Sequence, residues 1–198
     1  MRRLAQLFVF LSMMTTSAYA QETGSVGLTM GYPPAFGVIL HVADRVAVRP
    51  ELSWSHNSSE VISTITITLQ GISNTTSSRS TSDSWTVGVG ASGLFYISKS
   101  DGLSTYVSPR LMYTRGASST TSSTPSPITP NPSEFTTSGY LASGSFGAQY
   151  ALGRRFGVFG EVGLAYSRTK ASNNLTVAGR TTTHTVNTRT GAGVLWYF

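Results

Sequence analysis

The sequence contains no cysteine, and only 11% of its residues are charged. The absence of cysteine excludes a disulfide framework and attachment of lipid to an N-terminal cysteine. The charged fraction is far below the roughly 25% that is usual for a soluble domain. No zinc-ligand spacing, phosphate-binding loop or nucleic-acid-binding motif is present, so the sequence predicts no metal, no cofactor and no nucleic-acid partner.

The N-terminal segment 1–20, MRRLAQLFVFLSMMTTSAYA, is typical of a cleavable secretory signal. Two arginines precede an apolar stretch from Leu4 to Met14, and small residues stand at Ala18 and Ala20. The apolar stretch is well short of the roughly 20 residues that a membrane-spanning helix needs. We therefore expect cleavage after Ala20.

Cleavage would leave residues 21–198, a length that suits one domain. Because the signal contains two of the basic residues, its removal lowers the formal net charge from +6 to +4. No later apolar run is long enough for a membrane helix. An exported chain with few charges and no disulfide needs another basis for its stability.

Alternation of apolar and polar residues dominates the rest of the chain. In the third alternating segment, for example, Val48, Leu52 and Trp54 share one parity, and small or charged residues occupy the other. One such run is weak evidence for a strand, but eight in succession predict an all-β protein. The predicted strands are 25–31, 36–42, 46–56, 84–97, 102–115, 137–151, 156–168 and 184–198.

Short and long connections alternate between these segments. Tight turns are expected at 43–45, 98–102 and 153–155, where Gly, Asp and basic residues cluster. The longer polar stretches are 57–83, 116–136 and 169–183, with a shorter one at 32–35. This alternation predicts an eight-stranded antiparallel up-and-down transmembrane β-barrel, with short periplasmic turns and long outer loops.

The apolar parity is expected to face lipid. Its aromatic residues lie near the segment ends, where the two aromatic girdles of a membrane barrel would be. A soluble lipocalin-like barrel is the structural alternative, but it would need a more charged exterior. The aromatic residues concerned are Trp54, Trp85, Tyr113, Tyr140, Tyr150, Phe156, Tyr166, Trp196 and Phe198.

With these features the chain resembles the small eight-stranded outer-membrane barrels of Gram-negative bacteria, the OmpA-like/OmpX-like superfamily. The resemblance implies location in the outer membrane and a last strand that the barrel-assembly machinery recognises. Gly193, Trp196 and Phe198 match the terminal pattern of that family, whereas Gly191 stands where a polar residue is usual. The chain is expected to act as a monomer.

If the apolar parity faces lipid, a set of charged and polar residues faces the interior. Isolated charges are costly in so narrow a space, so these residues are expected to pair. A structural ionic plug is one interpretation, and the barrel would then act as a structural component of the envelope or as an adhesin-like surface protein through its outer loops. A gated narrow pore for small solutes is the other interpretation. The predicted luminal network is Arg49, Glu51, Arg110, Gln149, Glu161 and Arg189, with His41 also facing inward.

The stretch 57–83 alternates again, with Ile65, Ile67 and Leu69 against threonines. OmpX-like barrels carry a β-ribbon that protrudes beyond the membrane, and the resemblance implies such a ribbon here. Its exposed edge would capture a host or envelope protein by strand addition. The alternative is a flexible Ser/Thr loop with an incidental apolar patch.

Basic residues on the outer side form a modest excess over Glu60, Asp83 and Glu134. They would either contact outer-membrane lipid, through the phosphates of lipopolysaccharide, or form an ordinary solvated surface. The basic residues are Arg79, Arg115, Arg168, Lys170 and Arg180.

A lipid A-modifying acyl hydrolase is a remote alternative. His56, Ser58 and Glu60 follow one another at two-residue spacing, and their types suit a base-activated serine. However, positions i, i+2 and i+4 of a strand span about 13 Å, so Glu60 is poorly placed to orient His56. We therefore expect no enzymatic activity.

Overall fold

The computed structural model describes residues 23–33, 35–69, 72–123, 133–173 and 180–198, so the predicted signal at 1–20 lies outside it. Eight strands follow one another in these ranges. They form a closed barrel in chain order, each antiparallel to the next, and the last pairs with the first. The strands are β1 (Val26–Tyr32), β2 (Ala35–Ala43), β3 (Val46–Leu69), β4 (Ile72–Ser100), β5 (Leu103–Ser123), β6 (Ser133–Ala151), β7 (Phe156–Asn173) and β8 (Arg180–Tyr197).

The predicted all-β class and strand order are thereby confirmed. Each of the predicted segments lies in a strand of the barrel. The part of the chain that the structure describes contains no helix of the length and hydrophobicity needed to cross a lipid bilayer.

The strands differ from the prediction mainly in length. The stretch 57–83 is almost entirely a hairpin, paired without interruption from Asn57↔Ser84 to Leu69↔Ile72. Of the two interpretations of this stretch, the structure therefore has the ribbon and not the flexible loop. Likewise β5, β6, β7 and β8 extend into the stretches 116–136 and 169–183. The cause is that serine and threonine support strands when they pair across them. In the β3–β4 hairpin, hydroxyls of Thr66 and Thr75 lie 3.1 Å apart, for example.

The barrel wall has unequal height. The β2–β3 pairing ends at Ala35↔Ser53, and the β1–β8 pairing ends at Tyr32↔Ala192. Beyond these pairs the strands from β3 to β8 continue as an open sheet, which we call the protruding sheet. Within the described ranges its two outer edges, on β3 and on β8, have no further strand beside them.

Alternation separates the two faces of the wall. Inward side chains include a compact apolar and aromatic group near the short turns, formed by Ile39, Ala47, Leu94, Tyr96, Tyr106, Leu195 and Tyr197. The large hydrophobic side chains of the other parity lie on the outside and are exposed, with Leu111 at 70% and Tyr140 at 67%. The barrel is therefore apolar outside and largely polar inside.

Gly193 on β8 lets the backbone of β1 and the ring of Phe159 lie close to it, at the strand pair that closes the barrel. A Cβ atom built at this position would lie 2.3 Å from the carbonyl oxygen of Met30 and 2.6 Å from the ring of Phe159. Both distances are far below a van der Waals contact. Gly144 differs, since a Cβ atom there would meet nothing within 4 Å.

We predict that Gly193→Ala destabilises the barrel by roughly 1–3 kcal/mol, because the added methyl group displaces the Phe159 ring or the β1 backbone. Urea unfolding of the refolded protein in detergent micelles measures this change. Gly144→Ala is the matched control and should change the free energy of unfolding by less than about 0.5 kcal/mol. Equal effects of the two substitutions would contradict the packing argument.

Candidate functional site

The interior of the barrel holds five charged residues at one level. Arg49 and Glu51 lie on β3, two residues apart, and therefore point to the same face. Arg110 comes from β5, Glu161 from β7 and Arg189 from β8. All five side chains are buried or nearly so, and the Glu161 side chain has no exposed surface. We call this group the ion cluster.

Glu161 accepts hydrogen bonds from three residues. Its Oε1 accepts from Arg49 Nη2 at 2.7 Å and from the Tyr106 hydroxyl at 3.1 Å. Its Oε2 accepts from Arg189 Nη1 at 3.1 Å. Charge-assisted bonds of this kind offset the cost of removing the carboxylate from water.

Glu51 is the second carboxylate of the cluster. Its Oε1 accepts from Arg49 Nε at 2.9 Å and from the Ser92 hydroxyl at 2.8 Å, and its Oε2 pairs with Arg110. Arg49 thus links the two carboxylates, and its guanidinium also lies over the ring of Phe159, 5.2 Å from the ring centre. Three guanidiniums and two carboxylates leave the cluster with one positive charge in excess.

Gln149, which the sequence grouped with these charges, belongs to a separate layer nearer the short turns. It accepts a hydrogen bond from the Tyr96 hydroxyl at 3.2 Å and donates to the Tyr197 hydroxyl at 2.8 Å. His41 lies in the same layer, stacked on Tyr96 with ring centres 5.5 Å apart. The predicted place of Gln149 among the charges is therefore wrong, because the strand register sets Gln149 opposite Ser104 on β5, six residues before Arg110.

The sequence prediction missed the uncharged partners of both layers. Tyr96, Tyr106 and Tyr197 occupy the polar parity of their strands, and that placement was the available signal. Phe159 carried the same signal, because it shares the parity of Glu161 and not that of Val158 and Val162. Ser92 carried no comparable signal. A cavity of about 30 Å³ lies beside the ion cluster, bordered by Tyr32, Pro33 and Arg189 among others. It has room for roughly one or two water molecules.

Several buried polar atoms have no hydrogen-bond partner among the described residues. They are Arg110 Nε and the hydroxyls of Ser108 and Ser143 at the level of the ion cluster, together with His41 Nδ1 in the lower layer. Arg110 faces Ser143 across β5 and β6, and Ser108 lies two residues from Arg110 on β5. These donors are the places where water would enter the interior.

In the protruding sheet, Ile65 and Ile67 lie on one face of β3 and are 62% and 56% exposed. The side chain of Leu69 lies outside the described residues. On the opposite face, cross-strand hydroxyl contacts join β3 to β4, including Thr64 with Ser77 at 3.3 Å. An apolar face and a free strand edge therefore occur together at the outer end of β3.

His56, Ser58 and Glu60 also lie on β3, on one exposed face of the protruding sheet. Glu60 forms a salt bridge with Arg79, with Oε2 and Nη2 2.8 Å apart. Among the described residues, no hydrogen bond joins His56 to Ser58 or to Glu60. In addition, no group of three or more His, Cys, Asp or Glu residues that could hold a metal ion occurs in the described ranges.

The residues of the expected assembly signal are spread over both faces of β8. Gly193 faces the interior beneath the Phe159 ring. Trp196 and Phe198 face outward and are 51% and 73% exposed. Trp196 also contacts Phe156 edge to face, with ring centres 6.4 Å apart.

No family model and no curated relative matches the sequence. Among solved structures, the chain is similar to a major outer membrane protein from Thermus thermophilus, with a TM-score of 0.57, 10% sequence identity, and coverage of 88% of this chain and 98% of that one. Acinetobacter baumannii CarO matches with a TM-score of 0.38 and 12% identity, over 90% of this chain and 99% of that one.

Ail, the attachment invasion locus protein of Yersinia pestis, matches with a TM-score of 0.38 and 12% identity, over 88% of this chain and 94% of that one. The similarity to the Thermus protein concerns the fold alone. It agrees with the closed ring of antiparallel strands described above. The chain therefore has the fold of a small eight-stranded outer-membrane β-barrel, as its resemblance to such proteins predicted.

Proposed function

We propose that the chain is an integral outer-membrane protein with a closed interior, which acts through the sheet protruding from its outer end. The observation that carries this proposal is the exposed apolar surface around the whole barrel, joined to an interior of paired charges. A surface of this kind is stable in lipid, where a closed barrel satisfies every backbone hydrogen bond. In water it would be an aggregation site.

Aromatic residues support an orientation in the bilayer. Trp54, Trp85, Tyr113, Tyr140 and Tyr166 are exposed toward the protruding sheet, and Tyr150, Trp196 and Phe198 are exposed toward the short turns. Aromatic side chains prefer the two membrane interfaces. In this orientation the short turns, the start of β1 and the end of β8 lie on the periplasmic side, where the assembly machinery would meet the last strand.

Two layers support the proposal of a closed interior. The ion cluster spans the lumen from β3 to β7 and β8. Below it, the layer of Tyr96, Gln149 and Tyr197 is connected by hydrogen bonds. Eight strands enclose only enough space for side chains, so these layers suffice to obstruct solutes. We propose a monomer, since each layer is complete within one chain.

A narrow channel for small solutes is the second candidate. The groups at Arg110, Ser108 and Ser143 that have no partner among the described residues favour it, because they would donate hydrogen bonds to passing water or anions. An exchange of Glu161 between its arginine partners would then act as the gate. The arrangement of His56, Ser58 and Glu60 gives the acyl hydrolase no comparable support, since Glu60 pairs with Arg79.

The protruding sheet is the proposed site of surface interaction with a host or envelope protein. In the part of the chain that the structure describes, no strand pairs with the β3 edge beyond Ser53, so its backbone donors and acceptors are available. Ile65 and Ile67 provide apolar contact area. Strand addition uses these two elements, with backbone hydrogen bonds for affinity and side chains for specificity.

Refolded protein in a planar bilayer should show no steady openings if the interior is closed. Glu161→Ala should then leave the recording silent as well, because the tyrosine layer remains. The channel candidate makes the opposite prediction, since removal of Glu161 would raise conductance. Reproducible openings of the wild type would replace the closed-interior proposal with the channel.

The substitution Glu161→Gln should lower the free energy of unfolding by about 3–5 kcal/mol. Among the described residues it removes the carboxylate partner of Arg189 and one of the two carboxylate partners of Arg49. Urea titration in micelles measures this loss. Glu60→Gln is the control, because its salt bridge with Arg79 is exposed and is worth at most about 1 kcal/mol. A similar small loss for both variants would show that the ion cluster does not stabilise the barrel.

Replacing Ile65 and Ile67 by lysine should abolish the adherence of bacteria that display the barrel to cultured epithelial cells. The lysines remove the apolar contact area and oppose strand addition. Thr64→Lys combined with Thr66→Lys places the same charge on the other face of β3 and should retain most of the adherence. Both variants must be folded in the membrane to the same extent as the wild type, which the shift in gel mobility on heating measures. Unchanged adherence of the isoleucine variant, or no adherence by the wild type, would reject this role.

A further inference from the structure

The strand register gathers most of the outer basic residues on one part of the barrel surface. Arg115 on β5 faces Ser138 on β6, which in turn faces Lys170 on β7. Arg168 faces His184 on β8, and Arg180 faces Ser172. We call Arg115, Arg168, Lys170 and Arg180 the basic patch.

These four side chains point outward and are exposed. Neighbouring strands lie about 4.8 Å apart and alternate residues about 6.8 Å apart, so the four Cα atoms fit within roughly 15 Å. Arg79 does not belong to the patch, because it lies on the β3–β4 hairpin and pairs with Glu60. Among the described residues, none of the four basic side chains of the patch forms an ion pair.

The residues around the patch confine its positive charge to one side of the barrel. On β3 and β4 the corresponding outward positions are occupied by Trp54, Trp85 and Val87. The acidic residues Asp83 and Glu134 lie four residues further out on their strands than the partners of Arg115, about 13 Å along the strands. Glu134 is nearer to Arg180, at about 12 Å by the same spacing, and therefore borders the outer edge of the patch. A region of positive charge therefore covers β5 to β8 only.

The patch adjoins the exposed apolar surface directly. Tyr140 faces Arg168 across β6 and β7, and Tyr166 precedes Arg168 on the same face. The Tyr166 hydroxyl lies 2.7 Å from His184 Nδ1, and the rings of Tyr113 and Tyr140 are 5.2 Å apart, so aromatic side chains line the boundary. A ligand on this surface would contact the cations on the outer side of the aromatic row and apolar side chains on the side of the short turns.

From this juxtaposition we infer that the basic patch binds the phosphorylated headgroup of an outer-leaflet lipid, whose acyl chains lie on the apolar surface below. A free phosphate ion would use only the cations, whereas a lipid uses both parts of the surface. Guanidinium groups bind phosphate through paired hydrogen bonds, and each cation near a lipid surface adds to the attraction. The inference rests on the proposed outer-membrane location and names a lipid partner for the outer end of the barrel.

The test is the affinity of the refolded barrel for diphosphorylated lipid A, measured by native mass spectrometry in a zwitterionic detergent. Arg168→Gln combined with Lys170→Gln should weaken binding at least about tenfold. Arg154→Gln combined with Arg155→Gln removes the same charge from the exposed turn at the opposite end and should change it less than twofold. Arg115→Gln with Arg180→Gln is a second patch variant, with the same expectation if the first does not fold.

Lipid A without phosphates but with the same acyl chains should bind the wild type as weakly as diphosphorylated lipid A binds the patch variant. Equal binding of the two lipids, or equal losses at both ends of the barrel, would overturn the inference. Competition by inorganic phosphate alone would show a site for the free ion and would also overturn it. If the wild-type protein inserts into phosphatidylcholine vesicles but does not select lipid A, only this inference is overturned. If it inserts into no bilayer, the proposed function is overturned as well.

Discussion

Glu161 connects β7 to three other strands through Arg49 on β3, Tyr106 on β5 and Arg189 on β8. A carboxylate with no exposed surface is tolerated only where donors surround it, and the closed wall is what brings these donors together. The same contacts require the parity of Arg49, Tyr106, Glu161 and Arg189 to face inward on β3, β5, β7 and β8. Because the polar parity is committed to the lumen, the apolar parity must cover the outside. The membrane-compatible exterior is thus a consequence of how the interior charges are satisfied.

Phe159 couples the ion cluster to the closure of the barrel. One face of its ring lies against the Arg49 guanidinium, and its edge occupies the space that Gly193 leaves free on β8. A single aromatic side chain therefore contacts both a charged group of β3 and the backbone of the closing strand. This arrangement explains why charge pairing and barrel closure are parts of one packing problem rather than two.

The strand order and the inward parity of the charges could be predicted, because both follow from period-two alternation within single strands. The pairing partners could not be predicted in the same way. Arg49 meets Glu161 only through the register of strands that are far apart in the chain, and alternation within a strand does not specify that register. For the same reason Gln149 has the predicted parity but lies in the tyrosine layer. The sequence left the β3–β4 stretch open between a ribbon and a flexible loop, because serine and threonine are also common in loops. Only their partners across the hairpin show that they form strands.

The unequal wall height has a consequence for how the chain reaches this structure. The first strand is also a short one, and it closes the ring with the last strand only from Gly27↔Tyr197 to Tyr32↔Ala192. That contact joins the two most distant parts of the barrel sequence, so its entropic cost of loop closure is the highest of any strand pair. Its run of paired residues is nevertheless among the shortest. We therefore expect local hairpins such as β3–β4 to form early and the seam between β1 and β8 to form last. The slow stage of folding would then be an open, curved sheet in which β1 and β8 are still unpaired edge strands. A folding catalyst would accelerate folding most at this stage, by bringing the two edges together.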